Sequence, residues 1–250
     1  MVKGFPNPKN QFYERVLQRP MFRNSTLVNG GSWYVPTRRP LDCMTANGIV
    51  VVGDSACQVN PIHGGGIGPS LTGGSLAGKA VVEAVEKDDV SRGGLWTYNL
   101  EYMKAYGAKY AGLDIFRLFL LYSVTDQEIN YGMKYNLITE DDVFKVSMGE
   151  NLHLNVTEKT RRIFRGLGKL SLLVKLRDAA NLLNEMKSHY ASYPNSPKGF
   201  EEWREKTDAI MREAHKKLSK NRTQPRTRIL PHRESVIRRI SVLGLGFQLD

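Results

Sequence analysis

Residues 50–70 read VVVGDSACQVNPIHGGGIGPS, and this stretch decides the fold. The β-branched run 49–52 follows the tight-turn signal Asn47-Gly48 and predicts a buried parallel strand. An acid, Asp54, stands where that strand is expected to end, and three consecutive glycines then lead into a long helix. Because ligands of open α/β sheets bind beyond the carboxyl ends of the strands, the pattern predicts a ligand site here.

The glycine cluster is suited to close contact between a ligand and the backbone. Gly64, Gly65 and Gly66 have no side chains to hold a ligand away. The helix that follows would direct free N–H groups and the positive end of its dipole at the ligand. Asp54 could accept hydrogen bonds from ligand hydroxyls. Apolar residues on one face of the helix predict its buried side: Ala77, Ala80, Val81, Ala84 and Val85.

The whole chain divides into three predicted parts. Residues 1–90 contain a short strand at 32–35 and the strand, loop and helix described above. Residues 91–219 are predicted to be a helical domain, with helices at 94–106, 107–132, 139–148, 157–188 and 200–219. The last of these carries Trp203, Ile210, Ala214 and Leu218 along one stripe. Residues 220–250 have no periodicity and predict a basic, disordered tail.

Composition and charge narrow the classes of protein. A hydrophobic content of 41% with 24% charged residues is ordinary for a folded domain. The net charge of +11 lies mostly between residues 216 and 239, which hold nine Lys or Arg and one acid. Nucleic acid is therefore not expected as a partner of the body of the protein. The tail is either solvated or in peripheral contact with an anionic membrane.

Targeting and redox signals favour the cytoplasm. The first residues contain no signal-peptide pattern, and the longest apolar run, 113–124, is interrupted by Asp114 and Arg117 and is too short to cross a bilayer. Two cysteines, Cys43 and Cys57, do not imply a disulfide framework. The expected location is the reducing cytoplasm, including the inner membrane face.

A family resemblance rests on the same residues. Gly53-Asp54-Ser55-Ala56, Asn60-Pro61 and Gly64-Gly65-Gly66-Ile67 resemble the second FAD-contacting motif of flavoproteins of the para-hydroxybenzoate hydroxylase class. The sequence of this motif is most similar to that of archaeal geranylgeranyl reductases. The upstream segment 33–41, WYVPTRRPL, resembles the same family. The resemblance implies an α/β fold class, with a remnant of the FAD-binding domain followed by a mostly helical C-terminal domain.

The resemblance also implies site residues. FAD would be bound by Gly53, Asp54, Pro61, Gly64, Gly65, Gly66 and Ile67. Asp54 would contact the ribityl chain, while the N–H groups of Gly66 and Ile67 would face the pyrimidine edge of the flavin, where reduced flavin carries negative charge. Trp33 and Tyr34 either line an isoprenoid channel or fill the sheet core. No catalytic residue and no metal ligand are assigned.

The implied activity is the FAD-dependent reduction of double bonds in the geranylgeranyl chains of archaeal membrane lipids, with an unidentified electron donor. The first FAD motif, a Gly-x-Gly-x-x-Gly turn after a strand, is absent from the sequence. The chain is therefore expected to be the C-terminal portion of such a reductase. The alternatives are a flavin-dependent monooxygenase or halogenase, and an inactive fragment whose basic tail binds nucleic acid or membrane.

Four further features each have two interpretations. His63 is either a proton donor or a structural residue, and Cys57 is either a redox partner or a small apolar packing residue. Arg38 and Arg39 either bind a phosphate or are ordinary surface arginines. The segment 116–122 is either the wall of an apolar tunnel or the buried face of an amphipathic helix.

Overall fold

A computed structural model of the chain describes residues 7–31, 33–137, 139, 141, 145 and 167–219. The described residues up to Trp33 belong to one compact unit and those from Tyr34 onward to another. The first unit contains α1 (Pro8–Gln11), a π-helical turn (Phe12–Val16) and a 3-10 turn (Pro20–Phe22). The side chain of Asn7 caps α1, but none of these three elements contains a buried residue.

The only sheet among the described residues is a two-stranded hairpin. Strand β1 (Thr45–Ala46) pairs antiparallel with β2 (Ile49–Val50) around a turn at Asn47-Gly48, where Gly48 has a φ of 68°. The turn prediction is confirmed. The prediction of a buried parallel strand over 49–52 is wrong, because β2 ends at Val50 and Ile49 is 57% exposed.

The strand predicted over 32–35 is also not observed. The described residues 33–35 form no strand, and the Trp33 and Tyr34 side chains are exposed rather than packed in a sheet core. The described chain is thus mostly helical with one small sheet, which is compatible with part of an α/β fold.

Helix α2 (Ile67–Glu86) presents a stripe of small residues to the protein interior. Its buried positions are Gly73, Ala77, Ala80 and Ala84, which recur every three or four residues. Val81 and Val85, predicted on the same face, are instead exposed. The small side chains allow α2 to pack on α3 (Trp96–Tyr102).

The helices predicted over 94–106 and 107–132 have different bounds in the structure. After α3 a π-helical turn (Met103–Gly107) leads into α4 (Ala108–Tyr122). Helix α4 ends at Tyr122, and a new helix, α5 (Asp126–Lys134), begins after Thr125. A capping box marks this start: the Thr125 hydroxyl accepts from the Glu128 N–H, and the Glu128 carboxylate accepts from the Thr125 N–H. A single helix over 107–132 is therefore wrong. On α4, Leu118 and Phe119 are buried, so the segment 116–122 contributes to the core.

Two long helices complete the domain, α6 (Leu170–Ala191) and α7 (Phe200–Ser219). The prediction for α7 is confirmed at both ends, and its predicted stripe is buried. Helix α6 packs along α4 and also contacts α7. Trp96 stacks on Tyr193, and Trp203 stacks on the imidazole of His189, in one core that includes Ala56 and Ala77.

Other predictions lie wholly or partly outside the described residues. These are most of the helix over 139–148, the first ten residues (157–166) of the helix over 157–188, and the basic tail from 220 onward. In the part of the chain that is described, no helix combines the length and the apolar character that crossing a bilayer requires.

A buried polar network joins the segment before the hairpin to helices α4 and α6. The guanidinium of Arg39 donates to the Tyr190 hydroxyl at 2.9 Å and lies within 3.4 Å of Asp42 and 3.8 Å of Asp114. Arg117 donates to the other oxygen of Asp114 at 2.7 Å. Burial opposes the charge of Arg39, but Tyr190, Asp42 and Asp114 outweigh it and raise its pKa. Arg39 is thus buried in a structural network, and its interpretation as an ordinary surface arginine is wrong.

His189 should make the stability of this domain depend on pH. Its Nε2 lies 3.0 Å from the Trp203 carbonyl oxygen, whereas its buried Nδ1 has no partner among the described residues. Burial therefore lowers the pKa of His189 below the ordinary value of 6.5. As the pH falls, His189 is protonated in the unfolded chain before it is protonated in the folded one. The free energy of unfolding should therefore decrease below about pH 6.5.

Thermal unfolding between about pH 7 and about pH 5 would measure this dependence. The His189→Gln variant keeps an N–H donor for Trp203 but does not titrate, and it should flatten part of the decline. Burial also lowers the pKa of His215, which should account for a remaining slope. A variant as pH-sensitive as the parent would contradict the assignment to His189.

Candidate functional site

A tight turn carries Asp54. The chain is extended at Val52, enters a 3-10 turn (Gly53–Ala56), and leaves it through Cys57. Gly53 has a φ of 66° and Cys57 a φ of 55°, both in the left-handed region that favours glycine. The Cys57 N–H donates to the Asp54 carbonyl, and the Gln58 N–H donates to the Gly53 carbonyl. The turn is therefore closed on itself, with the Asp54 side chain exposed.

Asn60 organises the loop that follows. Its N–H donates to the Gly65 carbonyl at 2.9 Å, and its carbonyl accepts from the Gly64 N–H at 2.9 Å. Its side-chain oxygen accepts from the Ile62 N–H at 2.9 Å. Gly64 has a φ of 73°, which a residue with a side chain would rarely adopt. The loop across the buried Pro61 is thus a defined structure rather than a flexible glycine linker.

The structure brings Asp54 and Gly66 together. A Cβ atom added at Gly66 would lie 3.3 Å from Asp54 Oδ1 and 2.9 Å from a methyl carbon of Val59. The Asp54 carboxylate therefore lies directly against the start of α2. Asp54 was expected at the carboxyl end of a parallel strand, but no such strand precedes it among the described residues. The support for a shared site is therefore the proximity of Asp54 to Gly66.

The N-terminus of α2 is open. Gly66 occupies the N-cap position and has no side chain with which to cap the helix. The first N–H groups of a helix lack intrahelical partners and carry the positive end of its dipole. Ile67 is 83% exposed. An anionic or polar ligand edge could therefore accept hydrogen bonds from this backbone while a second part of the ligand contacts Asp54.

The other sequence candidates differ in their surroundings. His63 is exposed, and its Nδ1 accepts a hydrogen bond from the Gly65 N–H at 3.0 Å, which gives it a part in shaping the loop. Cys57 is buried, and burial raises the pKa of its thiol, in keeping with apolar packing. Both cysteines are free thiols. Trp33 and Tyr34 remain predictions as substrate contacts.

Sequence reasoning missed two residues beside this turn. Gln58 is fully buried and accepts a hydrogen bond from the Gly53 N–H at 2.7 Å. Its amide nitrogen donates to the hydroxyl of Tyr98 on α3 at 2.6 Å. The available signal was an amide side chain within an otherwise small and apolar run, since such a buried group requires partners.

These observations define a class of protein: a mostly helical domain in which a carboxylate turn and a glycine-rich loop meet at the open N-terminus of a long helix. No protein-family model matches the sequence. Several curated proteins do. The digeranylgeranylglycerophospholipid reductase of Sulfolobus acidocaldarius is 43% identical over 219 residues, 86% of this chain and 48% of the relative.

Two further relatives carry the same description. The protein from Methanothrix thermoacetophila is 34% identical over 139 residues, 55% of this chain and 33% of the relative. Digeranylgeranylglycerophospholipid reductase 2 of Methanopyrus kandleri is 34% identical over 127 residues, 50% of this chain and 30% of the relative. The chain belongs to the geranylgeranyl reductase family, and it spans about half the length or less of these curated relatives.

Proposed function

We propose that this chain is the C-terminal portion of an FAD-dependent reductase that saturates geranylgeranyl chains of archaeal membrane lipids. The observation that carries the proposal is the 43% identity to the Sulfolobus acidocaldarius relative, which is named a digeranylgeranylglycerophospholipid reductase. The relative is about twice as long as the aligned part, so the chain would supply part of the active site.

The geometry fits one end of FAD. Asp54 would accept hydrogen bonds from the ribityl hydroxyls, and the N–H groups of Gly66 and Ile67 would donate to the pyrimidine edge of the flavin. Gly53, Pro61, Gly64 and Gly65 would shape the backbone around it. The close packing of Gly66 against Asp54 and Val59 supports a common site for the carboxylate and the start of α2. When bound, FAD would supply the hydride for the double bond.

The residues at the helix start would have an electrostatic role. Negative charge near the N-terminus of a helix is stabilised by its free N–H groups and dipole. The start of α2 would therefore favour the anionic reduced form of the cofactor. Trp33 and Tyr34 would contact the apolar substrate. A separate electron donor would reduce the cofactor. Peripheral contact with an anionic membrane would bring the chain to its substrate.

Product analysis tests the proposed activity. The chain would be joined to the N-terminal half of a relative, supplied with FAD and dithionite, and given a geranylgeranyl lipid. Mass spectrometry should show addition of hydrogen to the chains, and Asp54→Ala should reduce the yield. Hydroxylated or halogenated lipid would instead support a monooxygenase or halogenase.

The chain by itself should be colourless or bind FAD only weakly. The candidate site contacts the flavin and ribityl end, and the sequence lacks the Gly-x-Gly-x-x-Gly turn that binds the pyrophosphate. Absorbance of the purified chain in the visible range, and titration with added FAD, would measure this. A yellow protein with stoichiometric flavin would contradict the prediction.

A further inference from the structure

One buried amide connects three elements around the proposed cofactor site. Gln58 Oε1 accepts from the Gly53 N–H at 2.7 Å, and Nε2 donates to the Tyr98 hydroxyl at 2.6 Å. The Tyr98 hydroxyl in turn donates to the Val51 carbonyl at 3.0 Å. The amide thus joins the start of the Asp54 turn to helix α3 and to the segment that enters the turn.

Helix α2 provides the space for this amide. A Cβ atom added at Gly73, a buried position of α2, would overlap Gln58 Oε1 and lie 2.8 Å from the amide carbon. A side chain at position 73 would therefore expel Gln58. The stripe of small buried residues on α2 therefore begins with Gly73, because the Gln58 amide packs against the helix at that position.

The turn needs such support because its backbone is unusual. Gly53 and Cys57 both have positive φ values, and a non-glycine residue in that region is held there by its surroundings. The Gln58 amide is bonded at one end to Gly53 and at the other to a rigid helix. The position of the exposed Asp54 carboxylate relative to Gly66 depends on this turn.

We propose that Gln58, held by Tyr98, is a positioning residue that fixes the Gly53–Ala56 turn so that Asp54 faces the start of α2. The expected effect of Gln58 on FAD affinity rests on the proposed function. Gln58 itself is buried and would not contact the cofactor. It acts through the backbone N–H of Gly53 and the carboxylate of Asp54.

The test compares Gln58→Met, Gln58→Glu, Tyr98→Phe and Tyr102→Phe, in the full chain for hydrogen exchange and in this chain joined to the N-terminal half of a relative for FAD binding. Gln58→Met keeps the length and bulk but removes the acceptor for Gly53, whereas Gln58→Glu retains an acceptor. Tyr98→Phe removes the hydroxyl partner of Gln58. Tyr102→Phe is the matched control, because Tyr102 lies one turn further along α3, is equally buried, and has a hydroxyl without a partner among the described residues.

Two measurements separate the inference from the proposed function. Amide hydrogen exchange of Gly53, followed by NMR, needs no cofactor and should be at least about tenfold faster in Gln58→Met than in the parent. Gln58→Glu keeps the acceptor for Gly53 but loses the donor to Tyr98, so it should restore only part of the protection. In this chain joined to the N-terminal half of a relative, the dissociation constant for FAD, from fluorescence titration, should rise about tenfold in Gln58→Met and also rise in Tyr98→Phe. Tyr102→Phe should leave both quantities unchanged.

Each other outcome has a definite meaning. Unchanged Gly53 exchange in Gln58→Met would overturn the inference. Faster exchange with unchanged FAD affinity would overturn the positioning role. Equal effects in Tyr102→Phe and Tyr98→Phe would show general loss of packing, which also overturns it. A parent fusion with the N-terminal half of a relative that binds no FAD even at high concentration would count against the proposed function, while the exchange data would still decide whether Gln58 holds the turn.

Discussion

Replacing Asp114 with alanine is expected to destabilise the domain by up to about 3–5 kcal/mol, because it removes one of the two carboxylates beside the buried Arg39 and also the partner of Arg117. Asp114 is only 1% exposed and lies against both Arg39 and Arg117. Arg39 is itself buried, so its guanidinium could not recover the lost interaction from water. Thermal denaturation should show a fall in Tm on the order of 10 °C.

An exposed ion pair provides the control. Glu83 lies 3.8 Å from Lys87 on the surface of α2, and both side chains are more than half exposed. Exposed pairs of this kind contribute little, so Glu83→Ala should leave Tm nearly unchanged. If the two variants lost similar stability, the network around Arg39 would not be buried in solution.

The second large effect concerns the cofactor. In a form of the protein that binds FAD, such as this chain joined to the N-terminal half of a relative, Asp54→Ala should weaken binding roughly tenfold to a hundredfold. A hydrogen bond to a charged group contributes about 1.5–3 kcal/mol, which corresponds to that range. Fluorescence titration with FAD would measure the change.

Gly66→Val should have a greater and different effect. Its Cβ would lie 2.9 Å from a methyl carbon of Val59 and 3.3 Å from Asp54 Oδ1, so the turn and the helix start would have to separate. The flavin reduction potential should shift as well as the affinity, because the N–H groups of α2 would no longer lie against the reduced ring. Spectroelectrochemical titration would detect this shift.

Cys57→Ala is the control for both variants. It retains a Cβ at the same backbone position and removes only a buried thiol, so FAD affinity should be kept. Loss of FAD from Cys57→Ala together with full affinity in Asp54→Ala would place the cofactor elsewhere and contradict the assignment of this loop.

Local sequence patterns correctly predicted one long helix, one turn and the start of a second helix. Helix α7 follows Gly199 and carries an uninterrupted apolar stripe, so periodicity alone located it. The same holds for the turn at Asn47-Gly48 and for the start of α2 after three glycines. The proximity of Asp54 and Gly66 agrees with the ligand site that the sequence predicted at these two positions.

Burial in the hairpin and on α2 could not be predicted in this way. A β-branched run is compatible with either a covered strand or an exposed hairpin, and only the surrounding chain decides which one forms. On α2, hydrophobicity placed Val81 and Val85 inside, whereas the structure buries Gly73. That position has to be small because the Gln58 amide occupies the space beside it.

The buried charges were missed for a related reason. Arginine is usually found at the surface, and nothing in the residues next to Arg39 shows that Asp114 and Tyr190 will surround it. These partners come from helices that are distant in sequence. Long-range pairing of this kind is a property of the tertiary structure, and single-sequence patterns do not contain it.

The distribution of the three tryptophans gives the protein an internal optical label. Trp96 and Trp203 lie in the aromatic core, whereas Trp33 is 91% exposed. The exposed indole should emit at longer wavelength and be quenched first by acrylamide, while the two buried indoles stay protected. Intrinsic fluorescence can therefore report whether a lipid or another polypeptide covers Trp33 without any chemical labelling, and the buried emission serves as the reference signal in the same spectrum.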